Sequence, residues 1–491
     1  MKRPQLSRIE LLLLAVSLLV IFSYFYDVPR NPVGFFVDEA SIAYNAHNVA
    51  QSGRDEYGQS FPLYFRAFGE YKSPVYIYIL SAVFWFTGPS ALVARMLSAV
   101  MGFATALLFG ILAAQLAGRR IVGLIVFLAA ALTPWIFEIS RLVFEVAFLP
   151  LNIALFLLVL QRAAKRPRWS AFIAAGLGIL LGLMVYTYSV GRVLAPLFAL
   201  GLAFFFTRQR WRQVVLTWLI FGVTLLPLAV FTLRHPGVLS ERFKHVTFIK
   251  PGDTHRQIAI GLGKNYAANF SPRRWLLYGD PEPRHHLPGM GSLLAGVVAL
   301  AGLGLILVLL RYRSDAWWRF IIYGLLVSPI PAALTLDYFH TLRLIALPCF
   351  LLVLTIPAIL FLLDENCRWP RVCGATLTTL VLLMLLQGAL FHWRFHKAPP
   401  REDAFDSYYP ELLAKALARP ERPIYLFEKT PAAYVYAYWY ATTWGASLNN
   451  FYRVPPGESP PPGAVVIGHE LPCKECEIII QHGQFQVYKQ K

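Results

Sequence analysis

The sequence predicts an all-α polytopic membrane protein with about eleven transmembrane helices and a small extracytoplasmic α/β domain at its C-terminal end. Three observations carry this reading. Of 491 residues, 57% are hydrophobic and only 15% charged, whereas soluble globular chains are nearer half apolar and about a quarter charged. The apolar residues collect into runs of roughly spanning length. The basic residues, which give a formal net charge of +18, sit in short clusters between those runs, a distribution that fits membrane topology better than nucleic-acid binding.

The runs are 9–26, 91–117, 121–137, 142–160, 170–186, 193–207, 213–232, 290–310, 320–336, 344–363 and 372–391. Each approaches the ~20 residues that cross a hydrocarbon core. The first lacks a small-residue cleavage site and reads as an uncleaved anchor. A shorter stretch, 75–87, follows Pro74 and ends at Gly88-Pro89. At about 13 residues it is expected to lie at the interface or to re-enter.

Charge then orients the runs. The basic clusters are Lys2/Arg3/Arg8, Arg119/Arg120, Arg162/Lys165/Arg166/Arg168, Arg208/Arg210/Arg212, Arg311/Arg313/Arg319 and Arg368/Arg371. With the N-terminus cytoplasmic and 75–87 not spanning, all of them fall inside. If 75–87 spans, every later cluster falls outside, so the positive-inside rule selects the first arrangement. The loops 27–90, 138–141, 187–192, 233–289, 337–343 and 392–491 are then extracytoplasmic, and they hold most of the polar chemistry. The spans are almost free of charge, and no internal repeat is visible.

This divides the chain into a transmembrane domain, 1–397, with a first outer loop 27–90 and a long outer loop 233–289, and an external α/β domain, 398–491. In the latter, RPIYLFE and GAVVIGHE read as short buried strands, PAAYVYAYWYATT as a helix and CEIIIQHGQFQVYKQK as a hairpin. The five cysteines give no framework for the whole chain. Outside the cytoplasm, Cys473-Lys-Glu-Cys476 suits a local disulfide rather than zinc or redox chemistry.

Asp38 and Glu39 stand side by side in FFVDEASIAYNA, in the first outer loop. Two adjacent carboxylates are costly to desolvate and disturb each other's ionisation. The same face carries Glu70, Lys72, Arg141, Arg192, Asp280, Arg284, His285, His340 and Arg343, with tyrosines such as Tyr188 among them. A carboxylate can take a proton from an attacking hydroxyl. Arg, Lys and His can stabilise a departing phosphate. Together they suit transfer of a group from a lipid phosphate to an alcohol. No Walker or dinucleotide motif follows a strand, and a donor carrying its own polyprenyl tail needs none. The His285-His286 pair lacks a clear third ligand, so no metal is expected.

Plainer readings stand beside each candidate. The acidic pair alone suits a solvated loop or helix cap. Arg343 with His340, and Arg141 and Arg192 at the ends of apolar runs, suit interfacial anchoring. Asp280, Arg284, His285 and His286 suit a salt-bridge network within their loop.

FFVDEASIAYNA followed by GEYKSPVYIYIL resembles the first extracytoplasmic loop of the GT-C glycosyltransferases, in the branch containing protein O-mannosyltransferases and aminoarabinose transferases. ISRLVFEVAF, GLMVYTYSVGRVLAP, NYAANFSPRRWLLYGDPEPRHHLPGMG and DYFHTLRLIALP look like further blocks of a bacterial subgroup, in order over roughly residues 10–390. The resemblance implies a GT-C fold and an inverting transferase that uses a polyprenyl-phosphate monosaccharide, usually without a required metal or other cofactor. It implies a catalytic acid at Asp38, with Glu39 as the second acid orienting the acceptor. Glu70 and Lys72 match the acidic-basic element before the next helix. Lys72, Arg343 and His340 are then expected at the lipid phosphate, with Arg141, Tyr188 and Arg192 as further donor contacts. Asp280, Arg284 and His285 are expected in a loop facing donor or acceptor. The acceptor would be an envelope glycan, lipid or protein outside the inner membrane, and no nucleic acid is involved. The alternative is a polyprenyl-lipid flippase or transporter. It calls for ionisable residues along the spans, which this sequence lacks. A scaffold displaying the C-terminal domain would leave the outer acids and cations without a role.

Overall fold

Several apolar runs form helices shorter than hydropathy alone suggests, and at Thr133-Pro134 a proline makes the cut. The structure is a computed structural model that describes residues 7–399, 401–428, 432–469, 473 and 476–491, without the side chains of residues 242, 402 and 403. The chain forms two compact units, Met1–Tyr26 with Ser98–Ala398 and Asp27–Leu97 with Pro399–Lys491.

In the first unit every expected apolar run has its helix. Among the described residues, the helical stretches Arg8–Phe25, Ala91–Ala117, Glu145–Ala164, Trp211–Arg234 and Pro370–Lys397 have both the length and the hydropathy to cross a membrane. The shorter apolar helices include Arg120–Leu132, Ala171–Thr187, Ala295–Arg311 and Ala346–Leu362. The run 121–137 breaks at Thr133, which is extended (φ −66°, ψ 119°) ahead of Pro134, where a new helix Pro134–Ile139 begins. Proline drives the preceding residue out of the helical region. Trp211–Thr224 and Leu226–Arg234 meet at Leu225, which keeps a helical backbone (φ −83°, ψ −10°), so the two continue as one stretch. Helix Ala346–Leu362 is apolar on all sides and buried nearly throughout, as a central helix should be. It packs closely on Ala295–Arg311, where a Cβ on Gly304 would collide with the carbonyl of Leu354. The long loop has structure of its own, with helices Glu241–Val246 and His255–Ala268 and a π turn Arg274–Tyr278.

The second unit contains helix Val37–Ser52, the hairpin β1 (Phe65–Ala67) and β2 (Glu70–Lys72), and helix Pro74–Thr87. From the C-terminal part come β3 (Ile424–Glu428), β4 (Phe451–Arg453), β5 (Val465–His469), β6 (Glu477–His482) and β7 (Phe485–Lys489). They form a sheet of order β4-β3-β5-β7-β6 in which β3 runs parallel to β4 and β5, while β7 is antiparallel to β5 and β6. The expected helix is Tyr434–Trp444, and Cys473 is disulfide-bonded to Cys476. Cys367 and Cys373 of the first unit are also paired.

The C-terminal segment does not stand apart from the first loop as composition suggests. Trp439 is fully buried and stacks on Phe35 and on Phe84, with ring centroids 5.5 and 6.2 Å away. Large aromatic surfaces dominate such contacts, and they join residues 27–97 and 399–491 in one core.

Candidate active site

Helix Val37–Ser52 sets the acidic pair. Phe36 is extended (φ −70°, ψ 153°), and its N–H donates to Glu39 Oε2 at 2.9 Å, which satisfies a free donor at the helix start. Glu39 also accepts from Arg95, Nε to Oε1 at 2.9 Å and Nη2 to Oε2 at 2.7 Å, and both side chains are fully buried. The other guanidinium hydrogens go to backbone carbonyls: Nη1 to Pro29 at 3.3 Å and Pro32 at 2.6 Å, Nη2 to Gly34 at 2.7 Å. All five donors of an arginine are thereby used. Glu39 is thus an enclosed carboxylate held by a bidentate arginine, an arrangement that fixes the helix start and loop 29–34. Arg95 itself was passed over in the sequence because it lies inside an apolar run; a lone charge near the start of such a run was the available signal.

Asp38 is the next residue back along the helix, about 100° round the axis, and faces elsewhere. Its side chain is 28% exposed, and Oδ1 accepts from Lys72 Nζ at 2.6 Å. The lysine is positioned by the hairpin, in which Phe65 faces Lys72 and Ala67 faces Glu70. The two-residue turn has Phe68 at φ 52° and Gly69 at φ 82°, the pattern that matches strand twist in tight hairpins. Lys72 is buried, with Nζ 5.5 Å from the centre of the Phe68 ring. Glu70 is half-buried on the same strand.

A second polar cluster in this unit escaped the sequence reading. Tyr434 donates to Glu56 Oε2 at 2.9 Å, and Asn45 Nδ2 donates to Glu56 Oε1 at 3.3 Å. Arg453 lies 3.4 Å from the centre of the Tyr434 ring. Burial raises the Glu56 carboxyl against the pull of these hydrogen bonds and of Arg453. Glu428 is pushed up to about 7, by burial first, with Arg453 and nearby backbone N–H groups opposing.

The remaining candidates belong to the unit Met1–Tyr26 with Ser98–Ala398. Asp280 Oδ2 accepts from the Thr341 N–H at 2.6 Å and the Thr341 hydroxyl at 2.7 Å, and His285 Nδ1 lies 3.1 Å away. Burial works against the Asp280 charge, but His285, His340 and Thr341 outweigh it and hold the carboxyl below its usual range. The His285 and His340 rings are 4.9 Å apart. Burial, and then the neighbouring His285 and Arg343, depress His340 well below the usual histidine value. His286 turns to a different partner: Nδ1 is 2.8 Å from Glu138 Oε2, and Nε2 is 2.8 Å from the Met290 carbonyl. With an acceptor at each nitrogen it favours its charged form despite burial. Gly279 is required beside it, since its φ is 62° and a Cβ would strike His286 Nε2.

Arg343 pairs with Asp337 at 2.6 Å and donates to Thr335 Oγ1 at 2.9 Å. Arg284 forms a bidentate pair with Glu282, at 2.8 and 2.9 Å. Arg141 is fully buried and donates to the carbonyls of Tyr24 and Tyr26 at 3.0 and 2.9 Å, which makes it a clamp on the first helix end rather than an interfacial anchor. Arg192 reaches the Leu239 carbonyl at 3.4 Å. Tyr188, half-buried, ends helix Ala171–Thr187. The structure thus brings together Asp38 with Lys72, and Asp280 with His285 and His340, while Arg284, Arg343 and Arg141 have local partners.

No family model and no curated protein matches the chain. Two crystal structures share its fold across nearly the whole length. "ArnT from Cupriavidus metallidurans bound to Undecaprenyl phosphate" aligns with a TM-score of 0.50 and 14% identity over 97% of each chain. The same protein "in the apo state" gives 0.51 and 16% over 97% of each chain. The chain is a multi-pass membrane protein with the GT-C fold of ArnT, as its sequence resemblance implied.

Proposed function

We propose that this protein is an inverting glycosyltransferase. It moves a hexose or pentose from a polyprenyl-phosphate donor to a hydroxyl of an envelope glycan, lipid or protein on the outer side of the inner membrane. The observation that carries this reading is the Asp38–Lys72 pair, an accessible carboxylate on the first turn of a helix against a buried lysine. The shared fold with ArnT, one structure of which holds undecaprenyl phosphate, supports a donor of the same chemical kind.

In the resting pair the lysine neutralises the carboxylate. A donor phosphate competes for Lys72 through a charge-assisted hydrogen bond and frees Asp38. The acceptor hydroxyl then attacks the anomeric carbon on the face opposite the phosphate. Asp38 takes its proton, the bond from the anomeric carbon to the phosphate oxygen breaks, and polyprenyl phosphate leaves with the electron pair. A single displacement inverts the configuration. The step as written draws on no metal. The test is to incubate the purified protein and its Asp38→Asn variant with a panel of polyprenyl-phosphate sugars and to follow released polyprenyl phosphate. Release from none of them, with acceptor-containing membrane extract present, would refute the reading.

A further inference from the structure

The two adjacent histidines of the long loop part company, and His285 meets a histidine from a different segment. Asp280, His285 and His340 each offer a ligand atom, and the three atoms lie within 4.8 Å of one another. His285 is 3% exposed. Its Nδ1 lies 3.0 Å from Thr341 Oγ1 and 3.1 Å from Asp280 Oδ2, and polar partners on one ring nitrogen orient the other toward a metal. That other nitrogen, Nε2, is enclosed with no hydrogen-bond partner among the described residues, and so is His340 Nδ1. Two unmet ring nitrogens beside one buried carboxylate are costly, and one cation satisfies both.

We propose that Asp280, His285 and His340 hold a divalent cation of the zinc class, with the imidazoles as direct ligands and Asp280 supplying the negative charge. Imidazole is a donor such ions take, and a carboxylate beside a ligand histidine raises that ligand's basicity. The carboxylate is already held for this, with Oδ2 on Thr341 and Oδ1 accepting the Glu282 N–H at 2.9 Å. The ion would tie residues 280–285 to residues 340–341, independently of the transfer chemistry at Asp38.

The experiment uses the full chain, purified without a polyhistidine tag, and zinc alone, with no donor present. Equilibrium dialysis of the parent should give one zinc per chain. His340→Ala should lose at least tenfold in affinity, while His245→Ala and His255→Ala, in other parts of the long loop, should bind as the parent does. His340→Gln, which keeps a polar side chain of similar length, guards against loss through misfolding and should bind as poorly as the alanine variant. Cobalt in place of zinc should give the visible absorption of a low-coordinate site in the parent. Absence of saturable uptake, absence of that absorption, or equal affinity in a folded His340 variant would each overturn the proposal.

Discussion

Lys72 Nζ sits 2.6 Å from Asp38 Oδ1 while the adjacent Glu39 is taken by Arg95. The two neighbouring acids thus differ in setting: Asp38 is partly exposed, while Glu39 is buried and locks the helix that carries both. Asp38→Asn keeps size and polarity and cannot accept a proton. Loss of a general base costs ~10²–10⁴ in rate, so single-turnover transfer with donor prebound should slow by that range while the melting temperature changes little. The product of the parent should show inverted anomeric configuration by NMR. Parental turnover in Asp38→Asn, or retained configuration, would remove Asp38 from the mechanism.

Lys72→Met removes the cation and keeps the stem that packs near Phe68. Donor KM should rise tenfold or more, because the phosphate loses its charge-assisted partner. Acceptor KM should stay close to the parental value. A rise confined to the acceptor would place Lys72 at the other substrate.

Glu39→Gln tests the structural assignment. Breaking a buried ion pair from one side leaves the other charge uncompensated and costs about 3–5 kcal/mol. Unfolding should therefore shift strongly, and Arg95→Met should destabilise likewise. The double variant should recover part of the loss, since no buried charge is then left alone, but not all, because the carbonyls of Pro29, Pro32 and Gly34 lose their donor. If Glu39→Gln melts like the parent and fails only with particular acceptors, Glu39 belongs to substrate recognition after all.

What the sequence made legible follows the range of its signals. Hydropathy is local, so every apolar run marked a helix, and proline chemistry explains the break at Thr133-Pro134. Strands β3, β5, β6 and β7 and the helix at Tyr434–Trp444 were legible for the same reason, whereas the three-residue strands β1, β2 and β4 were too short to give a pattern. Partners far apart in the chain were not. Glu39 and Arg95 are separated by 56 residues, and Glu138 and His286 by 148, with no periodicity linking either pair. His285 and His286 looked like one unit and serve two, because consecutive side chains in an irregular loop need not face the same way. Nor could composition reveal that Trp439 packs between Phe35 and Phe84, which makes one core of two distant segments.

Glu428 gives a pH signature. Its carboxyl is raised from 4.5 to about 7 on folding, with burial as the main cause, and Oε2 has no partner among the described residues. The folded state holds this proton more tightly than the unfolded state. The resulting stability is fully present below about pH 4.5 and is lost as pH rises through about 7, an upper bound on the order of 3 kcal/mol. Glu428→Gln is neutral throughout and should flatten the decline, so that the variant gains on the parent from pH 5 to pH 7.5. Parallel melting curves over that interval would show that Glu428 ionises at its ordinary pKa.

The final prediction concerns sidedness, on which access to Asp38 depends. The basic clusters assign residues 27–90 and 233–289 to the outside and the turns near 209 and 314 to the cytoplasm. Gln59, Lys264, Gln209 and Ser314 are all exposed in the structure, so a cysteine at any of them can react if reagent reaches that side. In a cysteine-free background, a membrane-impermeant maleimide applied to intact cells (or to spheroplasts where an outer layer blocks it) should label Gln59→Cys and Lys264→Cys. It should leave Gln209→Cys and Ser314→Cys unlabelled until the membrane is opened. The two halves of the test check one another, since one span fewer between residues 59 and 209 would leave Gln59→Cys labelled and reverse the result at the other three sites. Labelling of Ser314→Cys in sealed cells would move the long loop inside and remove the charge argument for an extracytoplasmic reaction.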